Sequence, residues 1–215
     1  MDLIIGGGKY GCYAIEHLRQ KGKGFVVVDT DPTCLAVKQF GLASSESSTS
    51  DGEHFIRGDL STALKLIEKL KPEYVFPTAP VHIAADLARL KFQLDPWPEA
   101  INAILPKLPE VVVLAVGKGK LIASFNRDNG CVEKCSMPKV CPSSNIRKPC
   151  TMTELIRFAC PDAFILISYS MAPGMGALKG SELLDFFNLA KQRDKFVVAT
   201  TCDCHGVLDA FQKHI

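Results

Sequence analysis

The chain has 215 residues, 47% of them hydrophobic, enough apolar content over that length for a substantial core in one large domain or two small ones. A net charge of +2, with both signs interspersed and few aromatics, leaves no basic field of the kind nucleic acid requires. There is no charged leader ahead of a long apolar stretch and no run of about 18 apolar residues, so the expectation is a cytoplasmic protein without membrane insertion.

The first element is a strand at Leu3 to Ile5, which runs into Gly6, Gly8 and Gly11 in the pattern G-x-G-x-x-G, with a helix from about Gly11 to Lys21 directly after it. The three glycines differ in role. Gly6 permits the tight turn, Gly8 allows close approach of a pyrophosphate, and Gly11 lets the helix pack on the strand. The helix start offers unpaired N–H groups and a partial positive charge to phosphates. Phe25-Val26-Val27-Val28 reads as a strand buried on both faces, and it stops at Asp29, where a ribose-binding carboxylate belongs. Thr30 and Asp31 bring no positive charge for a 2′-phosphate, which favours NAD(H) over NADP(H).

Asp31-Pro32 is read as the cap and first position of a second helix. Ser44 to Gly52 is polar without an apolar period and reads as a loop. Arg57-Gly58-Asp59-Leu60 precedes a helix over Ser61 to Leu70, and Tyr74 to Ala79 is a fourth strand. This succession resembles the regulatory NAD-binding domain of potassium-uptake proteins, the TrkA-N-like family, over about residues 1–93. The resemblance implies nucleotide-binding roles for Gly6, Gly8, Gly11 and Asp29, and an adenine-side role for Asp59. Isolated domains of that family usually pair, so the resemblance also implies a homodimer; a dinucleotide and a redox or membrane-protein partner are the other partners expected. Gly7, Lys9 and Tyr10 depart from the family's pattern, since GGGK turns also occur in sirohaem-synthase-like dehydrogenases and before ATP-grasp ligases. Lys9 and Tyr10 in the turn, and Thr78 at the end of the fourth strand, complete the expected cofactor contacts.

Further along, Val81 to Leu90 has helical spacing, Trp97 between two prolines reads as a packing plug, and Glu99 to Leu105 is a short helix. His82 opens the first of these, as a base or, more simply, as a cap. Val111 to Val116 and Leu121 to Phe125 form a hairpin around Gly117-Lys118-Gly119-Lys120. If its first strand runs parallel to the amino-terminal ones, the segment after it starts at the opposite edge of the sheet, away from the nucleotide.

That segment holds Cys131, Cys135, Cys141 and Cys150 in a polar loop broken by Pro138, Pro142 and Pro149. Short, proline-stiffened loops lose little entropy on closing, so four thiolates can converge on one centre. Thiolates suit iron-sulfur clusters and zinc. The two-residue spacings of ferredoxins and zinc ribbons are both absent, which leaves an iron-sulfur cluster, zinc and unligated redox thiols open. Cys12, Cys34 and Cys160 read as core residues.

The remaining elements are a helix Thr151 to Ala159, a strand Ala163 to Ser168, a loop carrying Gly174 and Gly176, a helix Ser181 to Gln192, a strand Phe196 to Thr200 and a short last helix. Strand ends carrying Cys202, Cys204 and His205 are expected to face the cysteine loop, with Gly174 and Gly176 lining the same cleft. A helix start after Cys204 would favour its thiolate, making Cys202, Cys204 and His205 candidates for catalysis or for metal binding.

The fold class is α/β: a Rossmann-like parallel sheet with helices on both faces over 1–110, then a smaller α/β half over 111–215 with the cysteine-rich loop. The leading expectation is a redox or redox-sensing protein that binds NAD(H) and carries a four-cysteine metal centre, an iron-sulfur cluster ahead of zinc. A regulatory nucleotide-binding module with structural zinc and a small-molecule NAD-dependent dehydrogenase are the alternatives. No Ser-His-Asp order, paired catalytic carboxylates, Walker A loop or HExxH occurs, so no hydrolase is expected.

Overall fold

A computed structural model describes residues 1–44, 52–127 and 129–214, so the expected polar loop Ser44 to Gly52 lies outside the described residues except at its two ends. In chain order, β1 (Asp2–Ile5), α1 (Lys9–Gln20), β2 (Phe25–Asp29), α2 (Leu35–Phe40), β3 (Glu53–Arg57), α3 (Leu60–Leu70) and β4 (Tyr74–Pro77) alternate strand with helix. There follow α4 (Ile83–Phe92), β5 (Leu94–Pro96), α5 (Pro98–Ile104), the hairpin β6 (Val113–Gly117) and β7 (Lys120–Ser124), and α6 (Met152–Ala159). The chain closes with β8 (Phe164–Ile167), β9 (Tyr169–Ala172), β10 (Met175–Lys179), α7 (Gly180–Ala190), β11 (Lys195–Thr201) and β12 (His205–Lys213).

The class is mixed α/β, with two sheets. In the first, β3-β2-β1-β4 are parallel, and β10 and β9 extend the row antiparallel beyond β4. β1 and the apolar part of β2 are buried, as strands covered on both faces must be. The second sheet runs β6-β7-β12-β11-β8, with β5 also paired to β12. Its connection from β8 to β11 is parallel and the other pairings are antiparallel. One apolar core joins Leu3, Val26 and Val75 of the first sheet to Phe186, Phe196 and Phe211 from the end of the chain. Among the described residues no helix is long and apolar enough to cross a membrane.

Three local expectations are corrected. The last segment is the strand β12, not a helix: Gly206, Leu208 and Ala210 are buried while Val207 and Asp209 are less so, a period of two that fits a sheet with one covered face. The loop with Gly174 turns the β9–β10 hairpin instead of leading into a helix. The second helix starts at Leu35 after Cys34, and Asp31 closes a turn ahead of it by accepting from the Thr33 N–H and hydroxyl at 2.8 Å each. Trp97 is partly buried against the second core, as a plug would be.

Candidate functional site

The glycine turn is tightly specified. Gly6 has φ +111°, and a Cβ there would stand 2.9 Å from the Ala79 nitrogen; one on Gly11 would stand 2.2 Å from the Gly6 oxygen. A Cβ on Gly8, by contrast, would meet nothing within 4 Å. Gly8 is the N-cap of α1 and supplies no side-chain cap, and the first turn holds no acidic residue, so the helix start is open to an anion. The Thr78 hydroxyl donates to the Ile5 oxygen at 3.0 Å and the Gly6 oxygen at 2.7 Å, tying β4 to the turn. Asp29 faces the same turn: its Oδ2 accepts from the Gly7 N–H at 2.6 Å and its Oδ1 from the Asp31 N–H at 2.9 Å. Each oxygen retains a lone pair for a ribose hydroxyl. Asp59 is the N-cap of α3 and accepts from the Ser61 and Thr62 amides, a structural role that accounts for its carboxylate.

Against the first turn of α1 lies a cavity of about 260 Å³, which Tyr10 and Tyr13 line on the helix side. Two separate segments supply its sulfurs: Cys131, Cys135 and Cys141 from the loop after β7, with Cys202 and Cys204 from the turn between β11 and β12. His205, Gly174 and Gly176 line it too, so the expected cleft at the strand ends is present. The expected remoteness from the glycine turn is corrected. The loop after β7 folds back across the ends of β9 and β10, where Gly174 N–H donates to the Cys135 oxygen at 3.0 Å, and Lys9 of α1 pairs with Glu133 at 2.5 Å.

The sulfurs are held by N–H groups. Cys135 Sγ accepts from the Met137 amide at 3.4 Å, and Cys202 Sγ from the Cys204 amide at 3.5 Å. Burial pushes the Cys141 thiol up, but hydrogen bonds from Ser144 and from the Ser143 and Ser144 amides, helped by Lys148, outweigh it and leave its pKa below the ordinary thiol value. Cys131 accepts from the Asn126 amide group at 3.3 Å and lies 3.2 Å from His205 Nε2, and Cys202 lies 3.6 Å from His205 Nδ1. Lys148 Nζ donates to Cys204 Sγ at 3.1 Å. Burial raises the pKa values of Cys131, Cys202 and Cys204 and lowers that of His205, which keeps the imidazole neutral and able to bind a metal. The thiolate preference argued for Cys204 from a following helix does not hold, because β12 follows it.

Cys150 does not join this group. It lines a different and more open cavity of about 590 Å³, with Lys139, Arg147, Lys148 and Glu154. The expected quartet therefore divides: three of its members share a cavity with Cys202 and Cys204, residues whose spacing in sequence does not link them to the loop. Asn126 and Ser144, which hold sulfurs, carry no sequence signal of that role, whereas the cationic loop residues Lys134, Lys139, Arg147 and Lys148 are legible in the sequence as a balance for an anionic centre, and of these Lys148 reaches Cys204. Among the described residues no three His, Cys, Asp or Glu side chains are drawn together as closely as a bound metal ion requires.

Fold and site define an α/β protein whose glycine-turn helix abuts a cavity walled by five cysteines. The chain belongs to the AF_1314 family of uncharacterized proteins: the family's N-terminal domain matches residues 1–83 and its C-terminal domain residues 82–214. A relative in Archaeoglobus fulgidus, an uncharacterized protein, is 46% identical over 99% of this chain and 100% of its own length. No solved structure matches the chain.

Proposed function

We propose that this is a cytoplasmic, NAD(H)-linked redox protein in which Cys131, Cys135 and Cys141, with Cys202 or Cys204, hold an iron-sulfur cluster beside a Rossmann-like dinucleotide turn. The observation that carries the reading is that five cysteines from two distant segments line one cavity. Soft thiolate ligands select zinc and iron-sulfur clusters, and N–H groups aimed at sulfur stabilise the thiolate and tune a cluster's potential. Cys135, Cys141 and Cys202 each accept such a bond from a residue two positions on.

The nucleotide half rests on the glycine turn. The open space over Gly8 and the uncapped start of α1 suit a pyrophosphate, with Lys9 within reach of it and Asp29 positioned for a ribose. Nicotinamide carries two electrons as hydride and a cluster passes one, so the pairing favours redox sensing over direct exchange. The Lys9–Glu133 contact gives such sensing a physical route, since a phosphate at the turn competes with Glu133 for the Lys9 ammonium. A zinc site is the second reading, favoured by His205, which lines the same cavity with its Nε2 3.2 Å from Cys131 Sγ and so offers a nitrogen beside the thiols.

Purification without oxygen followed by metal and sulfide analysis, a visible spectrum and an NADH titration tests both halves. Brown protein with stoichiometric iron and sulfide that binds NADH is the expected result. Colourless protein with one zinc supports the second reading. Protein that holds no metal, or that fails to bind NADH, defeats the corresponding half.

A further inference from the structure

Away from the cysteines, the space between the two sheets holds a second constellation. His82, only 6% exposed, is the N-cap residue of α4. Its Nδ1 lies 2.7 Å from Asp209 Oδ2 on β12, and its Nε2 lies 2.8 Å from Thr200 Oγ1 on β11. Hydroxyl, imidazole and carboxylate thus stand in one hydrogen-bonded line, assembled from residues 82, 200 and 209. The chain order is His, Thr, Asp, and a hydroxyl residue within a strand carries no motif, which is why the sequence shows no hydrolase pattern.

The line opens on a cavity of about 300 Å³. Thr200 and His82 form its polar wall, and Ile122, Leu178 and Val207 an apolar one. Ile83 and Ala84 also border it; their amides belong to the first turn of α4, ahead of the first bond that closes on the N-cap, from the Asp86 N–H to the His82 oxygen. His82 gives that turn no side-chain cap. Uncapped amides of this kind are the donors that stabilise an oxygen gaining negative charge. Lys120, half-exposed, lies on the rim 3.9 Å from Asp209 Oδ2.

We propose that Thr200, His82 and Asp209 form a nucleophile, base and orienting carboxylate for acyl transfer from a small ester or thioester to water. Thr200 Oγ1 bonds to the carbonyl carbon and its proton passes to His82 Nε2, while Asp209 holds the Nδ1–H and stabilises the imidazolium. The bond from carbon to the leaving oxygen or sulfur breaks, and His82 returns the proton to that atom. Water then attacks the acyl-threonine through the same base, releasing the acid and restoring the hydroxyl. The apolar wall selects a short hydrocarbon acyl group, and Lys120 a substrate with an anionic portion. The site shares no residue with the cysteine cavity and does not depend on the redox reading.

Labelling with an alkyl fluorophosphonate, located by peptide mass analysis, tests the proposal together with hydrolysis of p-nitrophenyl acetate. A single adduct on Thr200 is expected, with labelling and hydrolysis falling at least about a hundredfold in Thr200→Val and Asp209→Asn. Thr200→Ser keeps the hydroxyl and is expected to retain both, so a loss caused by misfolding is recognised by an altered melting transition in the Val variant. No adduct on Thr200 in the wild-type protein, or p-nitrophenyl acetate hydrolysis unchanged in folded Thr200→Val, overturns the proposal and leaves the three residues as a structural link between the sheets.

Discussion

At Asp2 the fold buries a carboxylate whose Oδ1 accepts from the Tyr74 N–H at 2.8 Å and whose Oδ2 has no partner among the described residues. Burial raises its pKa, against smaller opposing effects of the Tyr74 amide and Lys23. A carboxyl whose folded-state pKa is raised binds its proton more tightly in the folded chain, so stability falls as pH rises from about 4 through the folded-state value. Asp2→Asn is expected to stabilise the protein at pH 7 by about 1 kcal/mol, with the gain vanishing below about pH 4, in thermal melts at the two pH values. Asp59 has the opposite sign: hydrogen bonds from Ser61 and Thr62 hold its pKa down, so its contribution is present above about pH 4 and is lost as pH falls through the folded-state value. Loss of this cap in Asp59→Ala is expected to cost about 1 kcal/mol in denaturant unfolding while NADH binding persists. Weakened NADH binding without a stability loss would return Asp59 to the adenine side.

Among the elements, α1 offers a substitution that separates fold from ligand. Gly8 has extended backbone angles, φ −79° and ψ −161°, and open space for a side chain. Gly8→Asp therefore fits the N-cap and is expected to leave stability unchanged or a few tenths of a kcal/mol higher, yet to abolish NADH binding by setting a carboxylate against the pyrophosphate. Unchanged NADH affinity in that variant would mean that nucleotide does not use this turn. The strand-turn-helix opening, the β6–β7 hairpin, α6, α7 and β11 were legible because apolar periodicity and turn residues agree there. β12 was not, because the glycine, histidine and cysteines at its start obscure an alternation that only the sheet makes plain. The pairing of β10 with β4, Leu178 opposite Val75, joins residues about a hundred positions apart and leaves no local trace. In the cysteine loop, Lys134, Met137 and Asn145 adopt positive φ of 53°, 56° and 57°, and such turns decide which sulfurs face the cavity. Spacing alone grouped Cys150 with the other three; the backbone sends it elsewhere.

On the scale of the whole molecule, the first sheet is completed by a hairpin from late in the chain and the second by β5 from before the midpoint, so the halves share a core. That interlocking brings the turn after β11, the loop after β7 and the start of α1 to one place. It also explains why a site built from five cysteines was only partly readable: the sequence groups residues by proximity along the chain, and the fold groups them by where strands end. The central claim, that these sulfurs serve one metal centre and Cys150 does not, is tested most directly by metal stoichiometry in two variants purified without oxygen. Cys150→Ser is expected to retain the wild-type metal content and Cys141→Ser to lose it. Equal loss in both, or metal retained in Cys141→Ser and lost in Cys150→Ser, would contradict the account.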